Sequence, residues 1–342
     1  TDGWGSVYKF DATKNGKLVW KMNPDTDHDF PGAVTCCGIN NRGVALIDNK
    51  VVSHTLDGRL IVTNKESGEI EQEVQLADAS IAEVITAAPL VVKNSAITGV
   101  AGAEYGIRGW LHSTNLADGS KNWRTYTIPA PDEPGGDTWK QGPEAHSKDA
   151  WMHGGGSTWV VGSYDPDLDV IYWGVGNPGP DWDNEYRPGD NLYSNSVLAL
   201  DADSGKIKWY FQYTPNDPYD FDGVNEQTLV DAKIFGKKTK AVLHADRNGF
   251  AYALDRESGK FLWGTPFVKK LDWTAGLDKY TGRPLDYDPN KDVQRYVPSS
   301  SAFRAQPEAT SCPGNMGGKN WPPTAYDPDR NMYYIPVIES CA

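Results

Sequence analysis

The 342-residue chain is predicted to be all-β, its strands grouped as the blades of a propeller. Two observations predict this. A turn motif recurs at intervals near those of a four-stranded blade. Aromatic residues and glycine are plentiful, with Trp 13, Tyr 17 and Gly 35, and the apolar runs are short while helical stretches are few.

The motif reads apolar-x-apolar-Asp/Asn, a few residues, Gly, then Trp four positions later. It begins in FDATKNGKLVW with Gly16 and Trp20, and its second copy, VTNKESGEIEQ, has Gly68 with Gln72 in place of Trp. NLADGSKNW follows with Gly119 and Trp123, then LALDADSGKIKW with Gly205 and Trp209, then YALDRESGKFLW with Gly259 and Trp263. The polar turn between two alternating runs is a hairpin whose Gly takes positive φ. The glycine intervals are 52, 51, 86 and 54. The long one places an insertion at about 129–156, rich in Pro, Gly and charge. A second hairpin signature occurs in SYDPDLDVIYWGVG (163–176) and AYDPDRNMYYIPV (325–337), with a looser form in HADRNGFAYALD (244–255). The tryptophans of the repeat are expected to pack blade on blade. The chain is expected to form a single partial propeller domain over 1–342 of about six blades, too few to close an eight-fold ring. An open ring leaves sheet faces bare at both ends, so low stability in isolation is expected.

The net charge of −13 argues against nucleic acid, whose phosphates would be repelled, and is compatible with a cationic soluble partner. No apolar run is long enough for a membrane span. No signal peptide or initiator Met opens the chain, which reads as part of a longer protein. Cys36 and Cys37 are adjacent, and Cys312 and Cys341 are 29 apart. They are either buried free thiols or two disulfides, the latter implying an oxidising compartment.

The stretch 172–226 carries the densest candidate chemistry. An apolar strand ends at Asn177 in GVGNPGP, and PYDFDGVNE places Asp220 and Asp222 two apart. In an extended loop these carboxylates face one way and repel unless a cation or a proton intervenes. Oxygen ligands on loops at strand ends suit a hard cation. Glu104 in AGAEYGIRG follows small residues that allow close approach. Arg42 and Arg247 are either surface charges or ligand contacts. Trp159, out of register with the repeat behind a flexible Gly run, is either core or a stacking floor for a planar ligand. No phosphate loop, GxSxG or HExxH motif occurs.

Taken together, these motifs resemble those of the quinoprotein alcohol dehydrogenases of the methanol/ethanol family, which use pyrroloquinoline quinone (PQQ). The resemblance covers nearly the whole chain. It implies an eight-bladed β-propeller of the quinoprotein type, missing its first and last blades here. It also implies that Cys36–Cys37 is a vicinal disulfide against one face of PQQ and Trp159 the indole against the other. Arg42 and Thr86 would bind the cofactor's carboxylates, Gly102 and Ala103 would lie beside it, and Asn320 would contact the quinone side. Glu104, Asn177 and Asp220 would ligate the metal, with Asp220 also the catalytic base and Arg247 the cation at the reactive carbonyl. Cys312–Cys341 would be a second disulfide.

Asp222 stands where calcium-using members have a small residue and lanthanide-using members have Asp. A trivalent ion favours the extra anionic oxygen, so a lanthanide is expected before calcium. The motifs depart from the family at Ala101, which is often Ser. The resemblance further implies oxidation of a primary alcohol to an aldehyde, soluble cytochrome c as acceptor, a periplasmic location and a possible homodimer. Two other readings are a non-catalytic tryptophan-docking scaffold and a same-fold enzyme for sugars or polyols. The scaffold has no use for Glu104, Asn177, Asp220 and the cysteine pair together.

Overall fold

Four of the five copies of the repeat fold for the same local reason; in the first, Gly16 N donates to Asp11 O, five positions back, at 3.1 Å. The Asp or Asn at the head of each of those four accepts the N–H of the glycine four positions on: Gly68 to Asn64 at 2.9 Å, Gly119 to Asn115 at 2.8 Å, Gly205 to Asp201 at 2.9 Å and Gly259 to Asp255 at 2.9 Å. The glycines have φ of 80°, 78°, 68° and 71°, the left-handed region that L side chains avoid. Head side chains close the turn as well, Asp201 Oδ1 accepting from Ser204 N and Asp255 Oδ1 from Ser258 N, both at 2.9 Å.

These turns build four antiparallel four-stranded meanders in the computed structural model, which describes residues 1–342. The first contains β3 (Ala45–Ile47), β4 (Lys50–His54), β5 (Arg59–Asn64) and β6 (Ile70–Gln75). The second contains β7 (Leu90–Val92), β8 (Ser95–Gly99), β9 (Trp110–Asn115) and β10 (Lys121–Tyr126). The third contains β11 (Ser163–Asp165), β12 (Val170–Val175), β13 (Ser196–Asp201) and β14 (Ile207–Gln212). The fourth contains β15 (Thr228–Ile234), β16 (Lys237–Ala245), β17 (Phe250–Asp255) and β18 (Phe261–Pro266). Two-stranded sheets flank them, β1 (Val7–Asp11) with β2 (Lys17–Met22) and β19 (Ala325–Asp327) with β20 (Met332–Tyr334). No helix is long and apolar enough to cross a membrane.

The core is laminated between successive sheets. Val52, Leu60 and Val62 meet Ala96 and Trp110; Ile97, Leu111 and Trp123 meet Ile171, Trp173 and Leu198; Val197 and Tyr213 meet Val242 and Tyr252. Three of the repeat's four tryptophans, Trp20, Trp123 and Trp209, lie on the turn glycine of the next sheet. A Cβ added at Gly68 would fall 2.7 Å from Trp20, at Gly205 2.5 Å from Trp123, and at Gly259 2.5 Å from Trp209. The indoles of Trp20 and Trp123 also donate to the carbonyls of Lys65 and Ala202, each at 3.1 Å. Gln72 fills the tryptophan's place against Gly119, where an added Cβ would fall 2.9 Å from its Nε2.

The long interval therefore skips no sheet, since Trp123 docks on Gly205 directly. Its extra residues form two excursions rather than the single one expected. One includes the 3-10 turns Gly136–Thr138 and Ala145–His153, and the other is the connection 176–195 between β12 and β13.

In a four-stranded meander the turns alternate between two ends. The docking turns occupy one end. The second-to-third strand loops and the sheet-to-sheet connections share the other. Every candidate site residue falls in one of these latter segments.

Candidate active site

Glu104 lies in the β8–β9 loop, Asn177 in β12–β13, Asp220 and Asp222 in β14–β15, and Arg247 in β16–β17. The Gly154-Gly155-Gly156 run, expected to be flexible, is buried and stitches these loops together. Gly155 N donates to Ile107 O at 3.0 Å, Gly156 N to Asn177 O at 2.8 Å, and Gly179 N to Gly154 O at 2.9 Å. A Cβ at Gly155 would sit 2.8 Å from Asn177 O, so the loops approach this closely only because side chains are absent there.

Arg247 is 6% exposed, which rules out a surface charge. One of its amino groups donates to Asp222 Oδ2; the other donates to Asp220 Oδ2 at 3.2 Å and to Asn315 O. Asp222 is buried and accepts a further bond at Oδ1 from Asn177 N, 2.9 Å. Asp220 adopts φ 63°, so the loop is not the extended segment expected. The two carboxylates converge because one guanidinium binds both. Asp217 shapes this turn by accepting from Tyr219 N at 2.8 Å, Phe221 N at 2.7 Å and Asn195 Nδ2 at 2.9 Å. Burial pushes its carboxyl up to about 6, against those donors and the Arg187 charge.

Two acidic neighbours complete the cluster. Asp181 accepts from Asn177 Nδ2 at 2.6 Å. Glu104 lies at the lip of a cavity of about 650 Å³ that Ala103, His153, Asp181 and Trp182 also line. Its side chain opens to that cavity, yet protein on the remaining sides raises its pKa, with Asp222 and Asp181 adding repulsion. Burial raises Asp220 well above the usual carboxylate range; Arg247 opposes this, while Asp222, Asp181 and Asp217 reinforce it. Asp181 is likewise raised, first by burial. Burial works against the Arg247 charge too, but Asp222 and Asp220 outweigh it and raise its pKa.

The donor set is all oxygen and its negative charge exceeds its positive charge, which fits a hard cation. The side chains as they stand do not close around one: no three His, Cys, Asp or Glu groups are drawn together tightly enough to hold an ion. The expected ligand shell is therefore not assembled. The physical reason is that Asp220 and Asp222 both turn to Arg247.

The residues expected to cradle a planar ligand lie on neighbouring loops. Cys36 and Cys37 are disulfide-bonded, as are Cys312 and Cys341. The Cys36–Cys37 loop runs on to Arg42, whose guanidinium stacks 4.7 Å from the centroid of Trp159. Arg42 Nη1 donates to Thr86 O at 3.3 Å. Burial pulls the Arg42 pKa down to about 10, against the attraction of Asp222. A half-buried cation with no carboxylate bonded to it suits an anionic ligand, and the buried Nε of Arg247 lacks a hydrogen-bond partner. Gly102 (φ 124°) and Ala103 open the 3-10 turn that carries Glu104. Asn320 bonds only locally, donating to Met316 O at 3.2 Å and accepting from Trp321 N at 2.9 Å.

Asp181, Asp217 and the fully buried Lys319, paired with Glu226 at 3.0 Å, escaped the sequence reading. Only Asp181 left a signal, in the acidic run directly after GNPGP.

Residues 3–269 match the family described as PQQ: glucose/ethanol/alcohol dehydrogenase, beta-propeller domain. The chain is 40% identical, over 99% of its length, to quinoprotein alcohol dehydrogenase PedH of Pseudomonas putida, covering 57% of that protein. It is 37% identical, over 98% of its length, to a lanthanide-dependent methanol dehydrogenase of Methylacidiphilum fumariolicum, covering 55%. A europium-containing methanol dehydrogenase superposes with a TM-score of 0.87 at 34% identity, over 97% of this chain and 58% of that one. The chain thus spans somewhat over half the length of these relatives.

Proposed function

Because the chain belongs to the PQQ-dependent glucose/ethanol/alcohol dehydrogenase β-propeller family, we propose that it forms much of the active-site end of an enzyme oxidising primary alcohols to aldehydes. Arg247 binding both Asp220 and Asp222, with Asn177 locked to Asp222, is the observation that carries this reading.

Glu104, Asn177, Asp220 and Asp222 would hold one ion, a lanthanide in preference to calcium because Asp222 adds a second buried carboxylate. Cys36, Cys37, Arg42, Thr86, Gly102, Ala103, Trp159, Arg247 and Asn320 would hold PQQ. When bound, PQQ supplies a two-electron acceptor and the ion a Lewis acid. Asp220 takes the hydroxyl proton of the alcohol at its carboxylate. Burial opposes its ionisation, so the Arg247 charge is needed to hold it in the ionised form that can accept a proton. Arg247 also supplies positive charge where negative charge develops. The two disulfides favour an oxidising compartment such as the periplasm. The net charge of −13 suits a cationic electron acceptor such as a soluble cytochrome c.

The deciding experiment adds PQQ with calcium or a light lanthanide and follows the cofactor's absorbance before and after a primary alcohol. Ion-dependent binding and alcohol-dependent reduction are expected. Binding without any reduction would leave only a cofactor-binding scaffold.

A further inference from the structure

We infer that Asp181 is a positioning residue that turns the Asn177 amide so that its carbonyl oxygen faces the cation position. The inference rests on the proposal that Asn177 ligates an ion.

Asn177 Nδ2 donates to Asp181 Oδ1 at 2.6 Å and more weakly to Pro178 O at 3.3 Å. A carbonyl can only accept, and an ionised carboxylate likewise, so the amide nitrogen must occupy this side and Oδ1 the other. The residue cannot swing away, because it is 3% exposed and its own N–H is bonded to Asp222. Without Asp181 the amide has one weak acceptor left. Its flipped orientation, which aims N–H groups at a cation, then becomes accessible. Asp181 is itself held by its backbone: Arg187, fully buried, donates to its carbonyl at 3.0 Å and leaves the carboxylate free for Asn177. Outer partners that orient a ligating group in this way typically contribute about 10- to 100-fold in metal affinity.

The test uses terbium(III) luminescence, sensitised by the protein's aromatic side chains, as a binding readout independent of turnover. Asp181→Leu is measured in the parent and in Asn177→Ala, with thermal melting as a check on folding. Asp181→Leu is expected to weaken terbium binding about 10- to 100-fold in the parent. In the Asn177→Ala background it should cost less than about threefold, because the group it orients is already gone. Should Asp181→Leu fail to fold, Asp181→Asn enters the same cycle, with a smaller loss and the same dependence on Asn177. An equal loss in both backgrounds means that Asp181 acts by charge alone and overturns the inference. So does unchanged affinity in the parent. If Asn177→Ala and Glu104→Ala both bind terbium as tightly as the parent, the ion-site proposal itself fails.

Discussion

The backbone N–H of Asn177 donates to Oδ1 of Asp222 at 2.9 Å, joining two loops whose residues are 45 apart in the chain. The contact requires a glycine beforehand, since a Cβ at Gly176 would fall 2.4 Å from that same oxygen. Asp222 is thus both a brace between loops and a buried negative charge beside Asp220. Its two oxygens serve different partners, Asn177 on one side and Arg247 on the other.

Removing that charge should change which ion the site prefers. Asp222→Ala is expected to lower the ratio of lanthanide to calcium affinity by about tenfold or more, since a trivalent ion gains most from an added carboxylate. Competition titrations of terbium(III) against calcium measure the ratio. A ratio equal to the parent's removes Asp222 from the ion's ligands.

Asp220→Asn keeps a polar group of the same shape beside Arg247 but cannot accept a proton. It should bind PQQ as the parent does, by absorbance, while alcohol turnover falls about 10²- to 10⁴-fold. Turnover at the parent's level would mean that the base lies elsewhere.

Docking of turn glycines can be separated from backbone strain. Gly205→Ala should cost about 2 to 4 kcal/mol in urea unfolding, since it forces a positive φ and drives a methyl into Trp123, 2.5 Å away. Gly16 has a similar φ of 71° with nothing within 4 Å of its would-be Cβ, so Gly16→Ala should cost only the strain, about 1 kcal/mol. Equal costs would show that the indole contact contributes nothing.

Acid should weaken the fold through His54, buried with Nδ1 2.9 Å from Ala87 O and Nε2 2.9 Å from Thr98 Oγ1. The Ala87 carbonyl only accepts, so Nδ1 carries the proton and Nε2 accepts from Thr98. Burial lowers its pKa from 6.5 to about 4. The unfolded chain therefore takes up the proton first. Stability from this group is whole above pH 6.5 and declines as pH falls toward 4, by up to about 3 kcal/mol. His54→Gln should flatten the stability-versus-pH slope in that window by up to one proton, and an unchanged slope counts against a buried neutral imidazole.

Much of the fold was legible because its signals are local. An Asx-headed turn with Gly at positive φ needs only five consecutive residues, so each hairpin and the blade-on-blade role of its tryptophan could be read directly. The substitution of Gln72 for Trp was legible too, as the same slot filled by a different side chain. The cysteine pairs and the candidate residues followed from matching short motifs. The hairpin at 163–176 was legible from its turn, but the second excursion, 176–195, was not, because the pairing of β12 with β13 that makes it a loop is a contact in space rather than a local signal.

What the sequence determined by itself was the repeating unit, its order and the end of the sheets on which the polar loops lie, since turn chemistry and strand alternation act over a few residues. The tertiary structure alone decided that Arg247 is buried between Asp220 and Asp222, that three consecutive glycines form a rigid seam, and that Asp181 holds the amide of Asn177. These depend on loops from different sheets meeting in a low-dielectric interior, where each unpaired charge or N–H must find a partner. Such pairing is a property of proximity in space, which no local pattern along the chain encodes.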